Sequence, residues 1–116
     1  MYGLVNDGNE PELSLDEAKA VVATKTAPKV TEERIKYRIA KVEYSYHKQT
    51  TICFITMLNG FVFTGTSTPA SPENYDAQVG NRYAYDNAFK QIWAYEGYLL
   101  RELLSGGQHT RLGYTD

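Results

Sequence analysis

The segment TTICFITMLNGFVFTGTS, residues 50–67, constrains this chain more than any other stretch. Two runs of β-branched and aromatic residues flank Asn59-Gly60, a pair suited to a tight type I′ hairpin because both central residues need positive φ. Read this way, Leu58 pairs with Phe61. Ile52, Phe54, Leu58, Phe61 and Phe63 then share one face, and Cys53, Ile55, Met57 and Val62 share the other. Both faces are apolar and each needs a cover, whereas a chain of 116 residues supplies about one helical layer. The expected second cover is another copy of the chain, so the reading is of a homo-oligomer, a dimer or an assembly of dimers.

The rest of the chain arranges itself around this hairpin. Upstream, KVEYSYH (41–47) alternates Val42, Tyr44 and Tyr46 against Glu43, Ser45 and His47, the period of a strand with one wetter face. SLDE at 14–17 is a capping box opening a short helix with Ala18, Val21 and Val22 on one side. TAPK breaks that helix, and Thr31 caps a second, EERIKYRIA, in which Ile35 and Ile39 face inward. Downstream, Ser71-Pro72 opens a helical pattern that runs to about Leu104, with Gly80 and Gly97 marking a bend or close packing. Ala84, Ala88, Ile92, Leu99 and Leu103 form its inward stripe, Trp93 joins the core, and Gly106-Gly107 stops it. The expected fold is α+β in the order α-α-β-β-β-α. A small antiparallel sheet, the hairpin plus one strand, is packed by a long C-terminal helix, with short helices at the N-terminal end. Residues 1–13 read as a flexible leader and 14–116 as a single domain, with 106–116 a candidate lid.

Bulk properties exclude several classes of function. A net charge of −2 and a pI near 5.7 argue against general affinity for duplex nucleic acid or an anionic membrane. One cysteine and two histidines make a Cys/His zinc site implausible, and Cys53 reads as a small buried residue of a reducing compartment. No apolar run approaches the roughly 20 residues needed to span a bilayer, and the N-terminus lacks the order of a signal peptide, so the cytoplasm is the expected location. No phosphate loop is present, and a Cys53/His47 nucleophile pair conflicts with the mid-strand place of Cys53. Glu73, Asp76, Asp86 and Glu96 are conceivable acid–base or metal groups, but first-turn carboxylates such as Glu73 and Asp76 more often answer a helix dipole. His109 sits in a polar tail. The expectation is a protein that is not an enzyme and uses no metal or cofactor.

A binding surface is better supported. The chain has ten tyrosines and four phenylalanines, and tyrosine suits positions apolar on one side and wet on the other. Asn81, Arg82, Asn87 and Lys90 lie within three helical turns, beside Tyr75, Tyr83 and Tyr85. Cations meet phosphates, amides read polar edges of a base or ribose, and aromatic faces stack on bases. The competing reading is a solvated helix face with a tyrosine-rich dimer seam.

From Lys29 onward, KVTEERI, TTICFITMLNGFVFTGTS, SPENYDAQVG and AYDNAFKQIWAYEGYLLREL resemble a family of short phage and prophage proteins. That family includes the sponges that phages use against Thoeris defence. The resemblance implies a homo-oligomer that encloses a cyclic ADP-ribose isomer at a dimer interface without cleaving it. Cyclic oligonucleotides are a further ligand class for some sponges. Carried onto this chain by residue type, the roles are stacking for Tyr75 or Tyr83, ribose or base contacts for Asn87, and phosphate contacts for Arg82, Arg101 and Arg111, with Lys90 beside them. The site of action so implied is the cytoplasm of the infected host. The alternative function is a phage protein–protein module that inhibits a host factor through its tyrosine surface.

Overall fold

The structure, a computed structural model, describes residues 11–106. The segment from Gly107, with His109 and Arg111, and most of the expected leader lie outside the described residues. The element order is the expected one: α1 (Leu15–Ala23), α2 (Glu32–Tyr37), β1 (Ile39–His47), β2 (Thr50–Met57), β3 (Val62–Ser67), a 3-10 turn (Pro72–Asn74) and α3 (Ala77–Leu104). The three strands form one antiparallel sheet in the order β1-β2-β3, and α3 packs across β2 and β3. This is the expected α+β fold.

Local chemistry accounts for where the elements start. At α1, the Glu17 N–H donates to Ser14 Oγ (3.1 Å) and the Ser14 N–H donates to Glu17 Oε1 (2.8 Å), a complete capping box. Lys29 Nζ closes the other end by donating to the Val22 and Lys25 carbonyls, which carry the negative end of the dipole. Val21 and Val22 do not face a core. They are exposed, and no residue of α1 is buried, because α1 makes little contact with the sheet. Thr31 Oγ1 caps α2 by accepting from the Arg34 N–H, and Ile35 is fully buried. This helix ends at Tyr37, short of the expected Ala40. The Arg38 carbonyl accepts from the Leu58 N–H (2.8 Å), so the chain is drawn onto β2 and Ile39 begins a strand instead of a helical turn.

The main correction concerns the hairpin. Its turn is centred on Asn59, not between Asn59 and Gly60. The Gly60 N–H donates to the Met57 carbonyl and the Met57 N–H donates to the Phe61 carbonyl. Gly60 alone takes the left-handed conformation (φ 92°), while Asn59 Oδ1 accepts from the Phe61 N–H. This is a three-residue loop with a glycine bulge. The ladder pairs Ile55 with Phe63 and Thr56 with Val62, one residue off the expected register. A one-residue slip moves a strand's side chains to the opposite face. Thr51, Cys53, Ile55 and Met57 therefore share the buried face with Phe63 and Gly65, while Ile52 and Phe54 share the outer face with Val62, Thr64 and Thr66. That outer face also carries Lys41, Glu43, Ser45 and His47. It is mixed rather than apolar.

Against the buried face lie Ala84, Ala88, Phe89 and Ile92 of α3, with Ile35 closing one end. The helix does not start at Ser71. The chain becomes extended at Tyr75, and Asp76 is the true N-cap, accepting from the Val79 N–H (3.0 Å). The inward stripe stops at Glu96. Leu99 and Leu103 are exposed because the sheet ends before the helix does, and Trp93 is 40 % exposed instead of belonging to the core.

Candidate functional site

One face of α3 carries Tyr85, Phe89 and Trp93 at intervals of four, which stacks them along the helix. Tyr85 and Phe89 lie stacked with ring centroids 5.6 Å apart, and Trp93 meets Phe89 edge-on at 6.4 Å. Opposite them β1 supplies Tyr44, whose strand position turns it toward the helix side of the sheet. Because α3 covers β2 and β3, this side of β1 is left open. The result is a groove of about 500 Å³ with aromatic walls, within the range of about 300–1,000 Å³ typical of small-ligand sites.

The groove's charges come from three helices. Lys19 of α1, Lys36 of α2 and Arg82 of α3 line it together with the carboxylates Glu32 and Asp86, three cations against two anions, or a local charge of +1. Lys36 pairs with Glu32 at 3.0 Å, and Arg82 pairs with Asp86 through both its Nε and its Nη2. Both are i,i+4 pairs on exposed side chains, where solvent screening keeps such pairs weak. A pyrophosphate diester, with two negative charges to a carboxylate's one, can replace those partners at small cost. Arg82 also lies 5.2 Å from the centre of the Tyr85 ring. Burial pushes the Tyr44 and Tyr85 hydroxyls above the usual tyrosine range, so both rings are neutral, and Arg82 holds the Asp86 carboxyl below its usual value.

The residues singled out in the sequence are spread over several faces. Arg82 lies in the groove. Tyr75 and Tyr83 line a separate hollow of about 210 Å³ beside Ser67, Asn74 and Val79. Asn87 points to the sheet edge, donating to the Thr66 carbonyl (2.8 Å). Asn81 accepts from the Tyr46 hydroxyl (2.8 Å), tying β1 to the start of α3. Lys90 and Arg101 are exposed, Arg101 in the last turn of α3, and Arg111 is outside the described residues. Tyr44, Phe89, Trp93, Lys19 and Lys36 were not singled out as ligand residues. The spacing 82-85-89-93 carried the signal for one helix face, but Tyr44 and Lys36 joined it only through tertiary structure.

Other candidate chemistry resolves into structural roles. Cys53 is fully buried with its thiol pushed up by desolvation, and it faces away from His47 across the ladder. Glu73 accepts from the Ser71 hydroxyl, Asp76 is a cap, Asp86 serves Arg82, and Glu96 accepts from Arg38 Nε at 2.9 Å. Among the described residues no group of three metal-ligating side chains lies together, and no described helix is long and apolar enough to cross a membrane.

No curated protein and no solved structure matches the chain. The profile of one family does match, over residues 30–104, which takes in α2, the whole sheet and all of α3, and so every part of the groove except Lys19. The chain belongs to the phage protein (N4 Gp49/phage Sf6 gene 66) family.

Proposed function

We propose that this phage protein acts against host defence by holding a cyclic nucleotide messenger, a cyclic ADP-ribose isomer, in the groove between β1, α2 and α3. It sequesters the messenger without cleaving it and so blocks Thoeris-type signalling in the cytoplasm of the infected host. The observation that carries this reading is the aromatic ladder Tyr85-Phe89-Trp93 facing Tyr44, with Lys19, Lys36 and Arg82 around it. A purine stacks on the rings, and a pyrophosphate takes the cations from Glu32 and Asp86. Cyclic oligonucleotides share both features and are the second ligand class. Starving a receptor requires nanomolar binding, about −12 kcal/mol.

Trp93 is the only tryptophan in the chain and lines the groove, so its fluorescence reports occupancy directly. Titration with the cyclic ADP-ribose isomer is expected to quench it with nanomolar midpoint. Heating the complex is expected to return the messenger intact by mass spectrometry. A cleaved product would make the protein an enzyme, and an unchanged spectrum and melting temperature would remove the binding function. A protein–protein module is the second reading, favoured by the apolar end of α3, where Tyr98, Leu103 and Leu104 are all more than half exposed. A stoichiometric host protein retained by the messenger-free chain would support it.

A further inference from the structure

Two arginines at α2 share one carboxylate from α3. Arg34 and its C-cap Arg38 are four residues apart, which sets them on one side of the helix a turn from each other. Arg38 Nε donates to Glu96 Oε2 at 2.9 Å, and Glu96 is 9 % exposed. Arg34 has no counterpart to this. Among the described residues no carboxylate lies within ion-pair distance of its guanidinium.

Beyond Glu96 the same face of α3 turns apolar. Leu99, Leu100 and Leu103 follow it by three, four and seven residues, the spacing of a single helical stripe. Leu99 and Leu103 are left exposed past the end of the sheet. The segment Pro28–Thr31, which leads into α2, completes the lining of a hollow of about 290 Å³ between these leucines and Arg34. It shares no lining residue with the aromatic groove. Of its three charged groups, Lys29 already donates to the Val22 and Lys25 carbonyls and Glu96 is held by Arg38. Arg34 is the lining charge left unanswered.

That combination selects a chemistry. Leucine walls favour an aliphatic body, and a guanidinium takes a carboxylate through two parallel hydrogen bonds. A cationic head would face two arginines. A dianionic phosphate would set its second charge against Glu96. We propose that the hollow between α2 and α3 is a ligand site of its own, for a small aliphatic monocarboxylate whose chain lies on Leu99, Leu100 and Leu103 and whose carboxylate pairs with Arg34. Its volume falls just under the range of about 300–1,000 Å³ typical of sites for drug-sized ligands, which fits a short-chain acid and not a nucleotide. The site stands whether or not the groove holds a messenger.

The test uses the full-length protein without messenger and three probes, hexanoate, hexanamide and hexylamine, followed by the methyl NMR signals of Val30, Leu100 and Leu103. Hexanoate is expected to move these signals saturably, with hexanamide about tenfold weaker and hexylamine weaker still. From butanoate to hexanoate the affinity is expected to rise about fourfold per added methylene as each is buried. Arg34→Gln, a change on an exposed side chain, is expected to bring hexanoate down to the affinity of hexanamide and to leave hexanamide itself unchanged. Leu103→Ser is expected to weaken both. Trp93 fluorescence is expected to stay constant throughout, because Trp93 lines the other cavity. Equal binding of acid and amide, or an acid indifferent to Arg34→Gln, would overturn the carboxylate. Methyl signals that stay fixed with every probe would overturn the site, and shifts centred on Tyr44 and Trp93 would move the acid into the groove and overturn it equally.

Discussion

Gly65 of β3 lies directly beneath the backbone of Ala88 on α3: a Cβ built on Gly65 comes within 2.3 Å of the Ala88 amide nitrogen and 2.4 Å of the Ala84 carbonyl oxygen. Both obstacles are main chain and cannot rotate away. Gly65→Ala is expected to lift the helix from the sheet and destabilise the fold by about 3 kcal/mol, read as a lower urea midpoint at unchanged slope. A loss below about 1 kcal/mol would mean that helix and sheet are further apart than this.

Thr51 sits opposite Gly80 in the same layer. Its hydroxyl is fully buried and has no hydrogen-bond partner among the described residues. Thr51→Val keeps the shape and removes the orphaned polar atom, so it is expected to stabilise the protein by about 1 kcal/mol. A Cβ on Gly80 would meet Thr51 Oγ1 at 2.6 Å. Gly80→Ala therefore loses the helix-propensity gain of about 1 kcal/mol that alanine normally brings, and combining it with Thr51→Ala should recover that gain. A double-mutant cycle by thermal denaturation measures the coupling.

Arg38 and Glu96 tie the start of β1 to α3 with side chains only 23 % and 11 % exposed. Removing one partner leaves a poorly solvated charge. Glu96→Ala is expected to cost about 2 kcal/mol, less than a fully buried pair would. Glu96→Gln, which retains an acceptor for Arg38 Nε, should cost less than half of that loss in the same assay.

The groove's response to pH follows from Asp86. Arg82 depresses its carboxyl below the ordinary 3.8. A depressed carboxylate keeps its ion pair above the ordinary range and loses it only as pH falls through the lowered value. Tyr44 and Tyr85 are shifted upward, and no histidine is among the lining residues. Affinity for the nucleotide is therefore expected to be flat from about pH 5 to 8. Asp86→Asn frees Arg82 from its competitor and should tighten binding of an anionic nucleotide about three- to tenfold by calorimetry.

Much of the fold was legible because it is written in local chemistry. The capping box at Ser14, the cap at Thr31, the hairpin at Asn59-Gly60 and the end of α3 near Gly106 each depend on residues within one turn of one another. The register was not legible in the same way. Asn-Gly fits both a two-residue and a three-residue loop, and the choice shows only in the tertiary structure, where Phe63 and Gly65 share the helix-facing side with Ile55 and Cys53. Asp76, read as a dipole partner, became the cap because the chain straightens at Tyr75. The groove was half visible. Arg82 and Tyr85 could be read as neighbours on a helix, whereas Tyr44, Lys36 and Lys19 arrive from three other elements. Asn87 looked like a ligand residue, yet its amide serves the backbone of β3.

That service by Asn87 and Gln91 has an effect beyond the monomer. With the outward carbonyls of Thr64 and Thr66 taken by the chain's own amides, a strand approaching the β3 flank meets no free acceptor at those two residues. The sheet is thereby biased against growth into a ribbon, which needs free acceptors along both flanks.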